Sequence, residues 1–67
     1  MEFNVKALRE RKGWTQAELS DASGVGRITI SRLESGVLKE TTAGTLMKLA
    51  KALECTMNDI VKVSNAS

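Results

Sequence analysis

The sequence predicts an all-α domain of five short helices, and three observations carry that expectation. The first is a pair of helix starts, Thr15-Gln16-Ala17-Glu18 and Thr56-Met57-Asn58-Asp59. In each, a hydroxyl and a carboxylate three residues on can satisfy backbone N–H groups left free at a helix end. The second is a set of stops, with Gly13, Gly24 and Gly36 standing where helices should end. The third is an apolar stripe, Leu46, Leu49, Ala50 and Leu53, that follows the i, i+3, i+4, i+7 rule. No stretch alternates at period two for long enough to make a strand.

Taken in order, Asn4 caps a first helix that runs to about Lys12, with Val5 and Leu8 inward and Gly13 as its end. Phe3 and Trp14 lie just outside its two ends and close the core there. A second helix opens at the Thr15 box, with Ala17, Leu19 and Ala22 as a small apolar face. Ser23-Gly24 stops it, Gly24 being free to take positive φ. Val25 anchors the turn, and a third helix runs from about Arg27 to Ser35 before Gly36. On it Ile30 and Leu33 face inward with Val25, which leaves Arg27, Ile28, Ser31 and Arg32 pointing elsewhere. Two short helices around a glycine turn, the second with an outward polar face, are the layout of a helix-turn-helix, whose second helix enters the major groove of DNA. Residues Val37 to Thr41 form a loop, and Thr41 or Thr42 caps the fourth helix. The Thr56 box opens a short fifth helix through Ile60 and Val61. The domain is expected over residues 1–63, with a small polar tail, 64–67, that frays.

Composition narrows the function classes. A chain of 67 residues makes one domain with a marginal core. Cys55 is the only cysteine and there is no histidine, so neither a disulfide nor a metal site is expected. No apolar run approaches the ~20 residues of a membrane span, and Met1-Glu2-Phe3-Asn4 lacks the start of a signal peptide. The reading is an intracellular protein of the bacterial or phage cytoplasm, without a membrane partner. Formal net charge is only +2, but up to Lys39 seven basic residues face five acidic ones, and from Glu40 onward three face three. The excess sits on the half that holds the turn, as phosphate binding requires; a solvated basic face would look the same.

At Gln16, Leu19, Ser20, Gly24, Val25, Ile30, Ser31, Leu33, Glu34 and Gly36 the chain resembles, in register, the phage-repressor/Cro type of helix-turn-helix family, also called the xenobiotic-response-element family. The likeness continues through Leu8-Arg9-Glu10-Arg11-Lys12-Gly13-Trp14-Thr15 and through Thr45 to Leu53, so that it covers roughly Val5 to Val61. It implies a compact five-helix, lambda-repressor-like DNA-binding domain with the helix-turn-helix at helices two and three. Two departures stand out. Glu54 occupies a position where relatives commonly have glycine, and the loop before the fourth helix lacks their proline. A left-handed residue at Glu54 would be strained.

The resemblance assigns roles by position. Arg27, Ile28, Ser31 and Arg32 are the base-reading candidates. Arg32 is suited to bond O6 and N7 of a guanine together, and Ile28 to meet a thymine methyl; the plain readings are solvated charges and a partly buried isoleucine. Gln16 is the family's phosphate contact at a helix N-terminus. Thr15, Thr29 and Lys39 are further backbone candidates, and Gly26 lets the backbone approach closely. Arg9 and Glu34 are implied to meet as an ion pair between the first and third helices. Dimer contacts map to Val37, Leu38, Met57, Val61 and Val63, although Val37 and Leu38 would also serve as a lid on the core. Cys55 fills a small apolar site, a redox role having no basic neighbour in sequence.

The expected function is therefore that of a small transcription regulator, a repressor, whose homodimer reads a palindromic operator in duplex DNA. Neither a cofactor nor a small-molecule ligand is evident. Three alternatives remain open: an antitoxin, a restriction–modification controller with the same binding mode, or a protein-interaction module that has lost DNA binding. An enzyme is disfavoured, since no histidine-based catalytic set exists. Gly24-Val25-Gly26 only imitates a dinucleotide fingerprint, because it follows a helix and the third glycine is absent.

Overall fold

The structure, a computed structural model, describes residues 2–38 and 41–62. The order is β1 (Glu2–Phe3), α1 (Val5–Arg11), α2 (Gln16–Ser23), α3 (Arg27–Ser35), α4 (Ala43–Leu53), α5 (Met57–Ile60) and β2 (Val61–Lys62). Local chemistry sets these bounds. At Thr15 and at Thr56 both halves of the capping box are made. Thr42, rather than Thr41, caps α4, its hydroxyl accepting from the Thr45 N–H. Gly24 (φ 75°) closes α2 in the left-handed conformation that costs a glycine nothing.

The helices enclose one core. Val5, Leu8, Leu19, Val25, Ile30, Leu33, Leu46, Leu49, Ala50, Leu53 and Ile60 are buried, and every described helix contributes to it. Phe3 and Trp14 pack against its margin together with Leu38, Ala52, Cys55, Met57 and Val61. Helix α2 lies against both α3 and α4, while α1 braces α3 from the other end of the chain. No described helix is long and apolar enough to cross a membrane.

The structure departs from the sequence reading at three places. The all-α class stands, but the chain adds a two-residue antiparallel ladder in which Phe3 pairs with Val61 and Glu2 with Lys62. Val61 therefore leaves α5 and becomes extended. Asn4 makes no side-chain cap; its own backbone N–H donates to the Ile60 carbonyl at 2.7 Å, which ties the start of α1 to the end of α5. The expected alanine face of α2 is wrong as well. Ala17 and Ala22 are exposed, and the inner side is Leu19 flanked by half-buried Gln16, Ser20 and Ser23. A methyl group gains little from burial, whereas those three polar side chains have hydrogen-bond partners inside.

The expected tail, 64–67, and the domain end at 63 lie outside the described residues.

Candidate nucleic-acid interface

Two serines fasten the turn between α2 and α3. Ser23 Oγ donates to the Leu19 carbonyl at 2.7 Å and accepts from the Val25 N–H at 3.1 Å. Ser20 Oγ donates to the Val25 carbonyl at 2.7 Å. With Val25 buried, the start of α3 is fixed from both the polar and the apolar side. Gly26 precedes it with an ordinary φ of −58° and makes no side-chain cap. A Cβ built there would meet only Thr29 Oγ1, at 3.9 Å. Nothing among the described residues demands glycine at this point.

Along α3 the residues divide cleanly. Ile30 and Leu33 are buried, Thr29 and Glu34 are half-buried, and Arg27, Ile28, Ser31 and Arg32 are exposed. Ile28 is 69% exposed. The side chains of Arg27, Ser31 and Arg32 make no hydrogen bond or ion pair with other described residues. The structure thus brings the four sequence-selected groups onto one outward surface of one helix.

The polar network behind this surface joins three helices. Arg9 Nε donates to Glu34 Oε2 at 2.8 Å and Arg9 Nη2 to Glu34 Oε1 at 3.0 Å, a bidentate pair with side chains 12% and 5% exposed. Arg9 Nη1 donates to the Trp14 carbonyl at 2.7 Å, and Gln16 Nε2 to Glu34 Oε1 at 3.1 Å. Burial pushes the Glu34 carboxyl up, but the hydrogen bonds of Arg9 and Gln16, with the Arg9 charge, hold it below the usual carboxylate range. The same bond to Glu34, against some desolvation, raises Arg9 further, so both partners stay charged. The contact between Gln16 and Glu34 was missed by sequence reasoning. It spans 18 residues and no local pattern announces it.

The remaining candidates sort differently. Thr15 is exposed, with its hydroxyl engaged by the Glu18 N–H at 3.1 Å. Val37 is 73% exposed. Leu38, Met57 and Val61 are half-buried and pack against the core. Lys39 and Val63 lie outside the described residues. Met47, 60% exposed on α4, was not singled out by the sequence. Away from α2 and α3, a shallow groove of about 410 Å³ is lined by Asn4, Leu8, Arg11, Lys12, Leu53, Glu54, Cys55 and Asp59. Burial and the Asp59 charge push the Cys55 thiol up, which disfavours the reactive thiolate.

Comparison with known proteins places this arrangement. A family described as helix-turn-helix matches residues 5–60. The chain is 43% identical over 56 residues to a competence pilus inhibition repressor of Acinetobacter baylyi, a match over 84% of this chain and 50% of that protein. The chain therefore spans about half the length of that relative. It is 36% identical over 63 residues to the antitoxin HipB of Escherichia coli, over 94% of this chain and 69% of HipB. Among solved structures, SinR, a master regulator for biofilm formation determined in complex with DNA, shares the fold with a TM-score of 0.78 at 24% identity, covering 81% of this chain and 86% of that one. The N-terminal DNA-binding domain of SinR from Bacillus subtilis gives the same TM-score, over 78% of its length. Match, motif and fold agree: the chain belongs to the helix-turn-helix family of DNA-binding regulators, of the phage-repressor and Cro type.

Proposed function

We propose that this chain is a sequence-specific transcription regulator, a repressor that binds duplex DNA with α3 in the major groove. The observation that carries the reading is the outward row on α3: two arginines and a serine without partners among the described residues, and an isoleucine left in solvent. Arg32 bonds the major-groove edge of a guanine and Ile28 meets a thymine methyl, with Arg27 and Ser31 reading beside them. Thr15, Gln16, Gly26, Thr29 and Lys39 hold the phosphate backbone and set register without reading sequence. The bare surface at Gly26, where no internal contact calls for glycine, supports close approach of the DNA there.

One short helix offers few base contacts, so two copies related by a two-fold axis read a palindrome with half-sites about 34 Å apart. The dimer surface is built from Val37, with Leu38, Met57, Val61 and Val63 as the other candidates. Selection from random duplexes tests the proposal. Enrichment of an inverted repeat supports it, and recovery of no enriched sequence overturns it. Similarity to HipB favours a second reading, in which the same DNA-binding mode serves an antitoxin. A toxin encoded beside this chain, and a stable complex with it, would assign that role.

A further inference from the structure

We propose that Glu34 is a positioning residue for the DNA backbone contact: its carboxylate, braced by Arg9, holds the side-chain amide of Gln16 at the start of α2 in the orientation a phosphate oxygen meets. The proposal rests on the reading above, in which Gln16 touches phosphate. Glu34 Oε1 accepts from Arg9 Nη2 at 3.0 Å and from Gln16 Nε2 at 3.1 Å, while its Oε2 accepts from Arg9 Nε at 2.8 Å. A planar guanidinium fork allows the carboxylate little freedom. The fork is itself tied to the Trp14 carbonyl at 2.7 Å, one residue before the Thr15 cap. The backbone and the side chain at the head of α2 are thus fixed by one arginine–glutamate unit.

The chemistry of each group fits the role. An ionised carboxylate only accepts, so it turns the NH₂ of Gln16 toward itself and rejects the flipped amide. That NH₂ carries two hydrogens. Glu34 takes one, and the second points away from the carboxylate. The capping box uses the N–H groups of Thr15 and Glu18, which leaves those of Gln16 and Ala17 for an incoming oxygen. The Arg9 charge offsets that of Glu34, so no uncompensated negative charge stands beside the approaching phosphate. A side chain ordered in advance loses less freedom on binding.

The test is a cycle of DNA affinities for the full chain, Gln16→Ala, Glu34→Gln and the double variant. Each is measured on a selected operator and on a scrambled duplex, at a temperature where circular dichroism shows full helix. In Glu34→Gln the guanidinium takes the new side-chain oxygen, and an NH₂ faces Gln16 where an acceptor stood. We expect a loss of roughly three- to tenfold on both duplexes, in line with the freedom of one immobilised side chain. In the Gln16→Ala background the same change should cost less than about twofold. An unchanged affinity for Glu34→Gln, or a full loss that persists without Gln16, overturns the positioning role while leaving DNA binding intact. A wild-type chain that binds neither duplex overturns both. Should Glu34→Gln fail to fold, the order parameter of the Gln16 side-chain amide in the free wild-type chain decides. A rigid value supports the proposal, and one below about 0.6 overturns it.

Discussion

Lys12 Nζ lies 2.7 Å from Glu54 Oε1, and the pair joins the end of α1 to the left-handed turn that closes α4. Glu54 is the one non-glycine with positive φ among the described residues, at 55°. It sits in a reversed helix end in which its own N–H donates to the Lys51 carbonyl and the Cys55 N–H to that of Ala50. Glycine would take this position without strain. Lys12, whose ammonium also stands 5.1 Å from the centre of the Trp14 ring, offsets part of that cost.

This opposition predicts a salt-dependent effect. Glu54→Gly relieves the backbone and loses an exposed ion pair that salt screens. The melting temperature should rise, and should rise more in 1 M salt than at low ionic strength. A lower melting temperature at high salt would show that the left-handed glutamate is unstrained.

Arg9→Ala and Glu34→Ala should each destabilise the domain by roughly 3–5 kcal/mol, because each leaves a nearly buried charge without its partner. The double variant should cost clearly less than the sum. A urea cycle with strict additivity would mean that the two side chains do not interact.

Stability should also depend on acid through Glu34. Its folded carboxyl titrates below the unfolded one, so the folded state gains from its ionisation. That contribution is complete above the unfolded value of about 4.3 and is lost as pH falls through the folded one. Asp59, held low by the Thr56 backbone N–H and hydroxyl, acts in the same direction. With no histidine in the chain, the urea midpoint should be flat from about pH 5.5 to 8 and fall below about pH 4.5. Glu34→Gln should flatten the acid limb, and an unchanged limb would assign it elsewhere.

On the selected operator, Arg32→Ala should lose about 1–3 kcal/mol of binding and relax preference at one base pair. Gln16→Ala should weaken all sequences nearly equally. Identical binding by Arg32→Ala, measured by titration, would remove it from base reading.

Val37 is the clean probe of pairing, because it is exposed whereas Leu38 also packs on the core. Val37→Glu should leave stability within about 0.5 kcal/mol. Sedimentation of its complex with an intact palindrome should show one protomer in place of two. Two protomers on the variant's complex would clear Val37 of the interface.

The sequence by itself determined where α2 and α3 begin and end and where α5 begins. The Thr15 and Thr56 boxes and the αL stops at Gly24 and Gly36 act within four residues of chain, and α3 spans Arg27–Ser35 as those signals require. It also placed Leu19, Ile30, Leu33 and Leu49 inside, since each falls on the inward stripe of its helix, where burial removes its apolar surface from water. Packing decided the rest. Ala17 and Ala22 turned outward because a methyl weighs too little to orient a helix. Leu38 leans on the core only once α3 has docked, and Phe3 pairs with Val61 only because the folded helices bring Glu2–Phe3 beside Val61–Lys62. The contact that braces the candidate site, Gln16 with Glu34 across 18 residues, and the pair that ties α1 to the end of α4, Lys12 with Glu54 across 42, are polar and distant in sequence. Their energy depends on distance and burial, and both quantities exist only once the helices have packed.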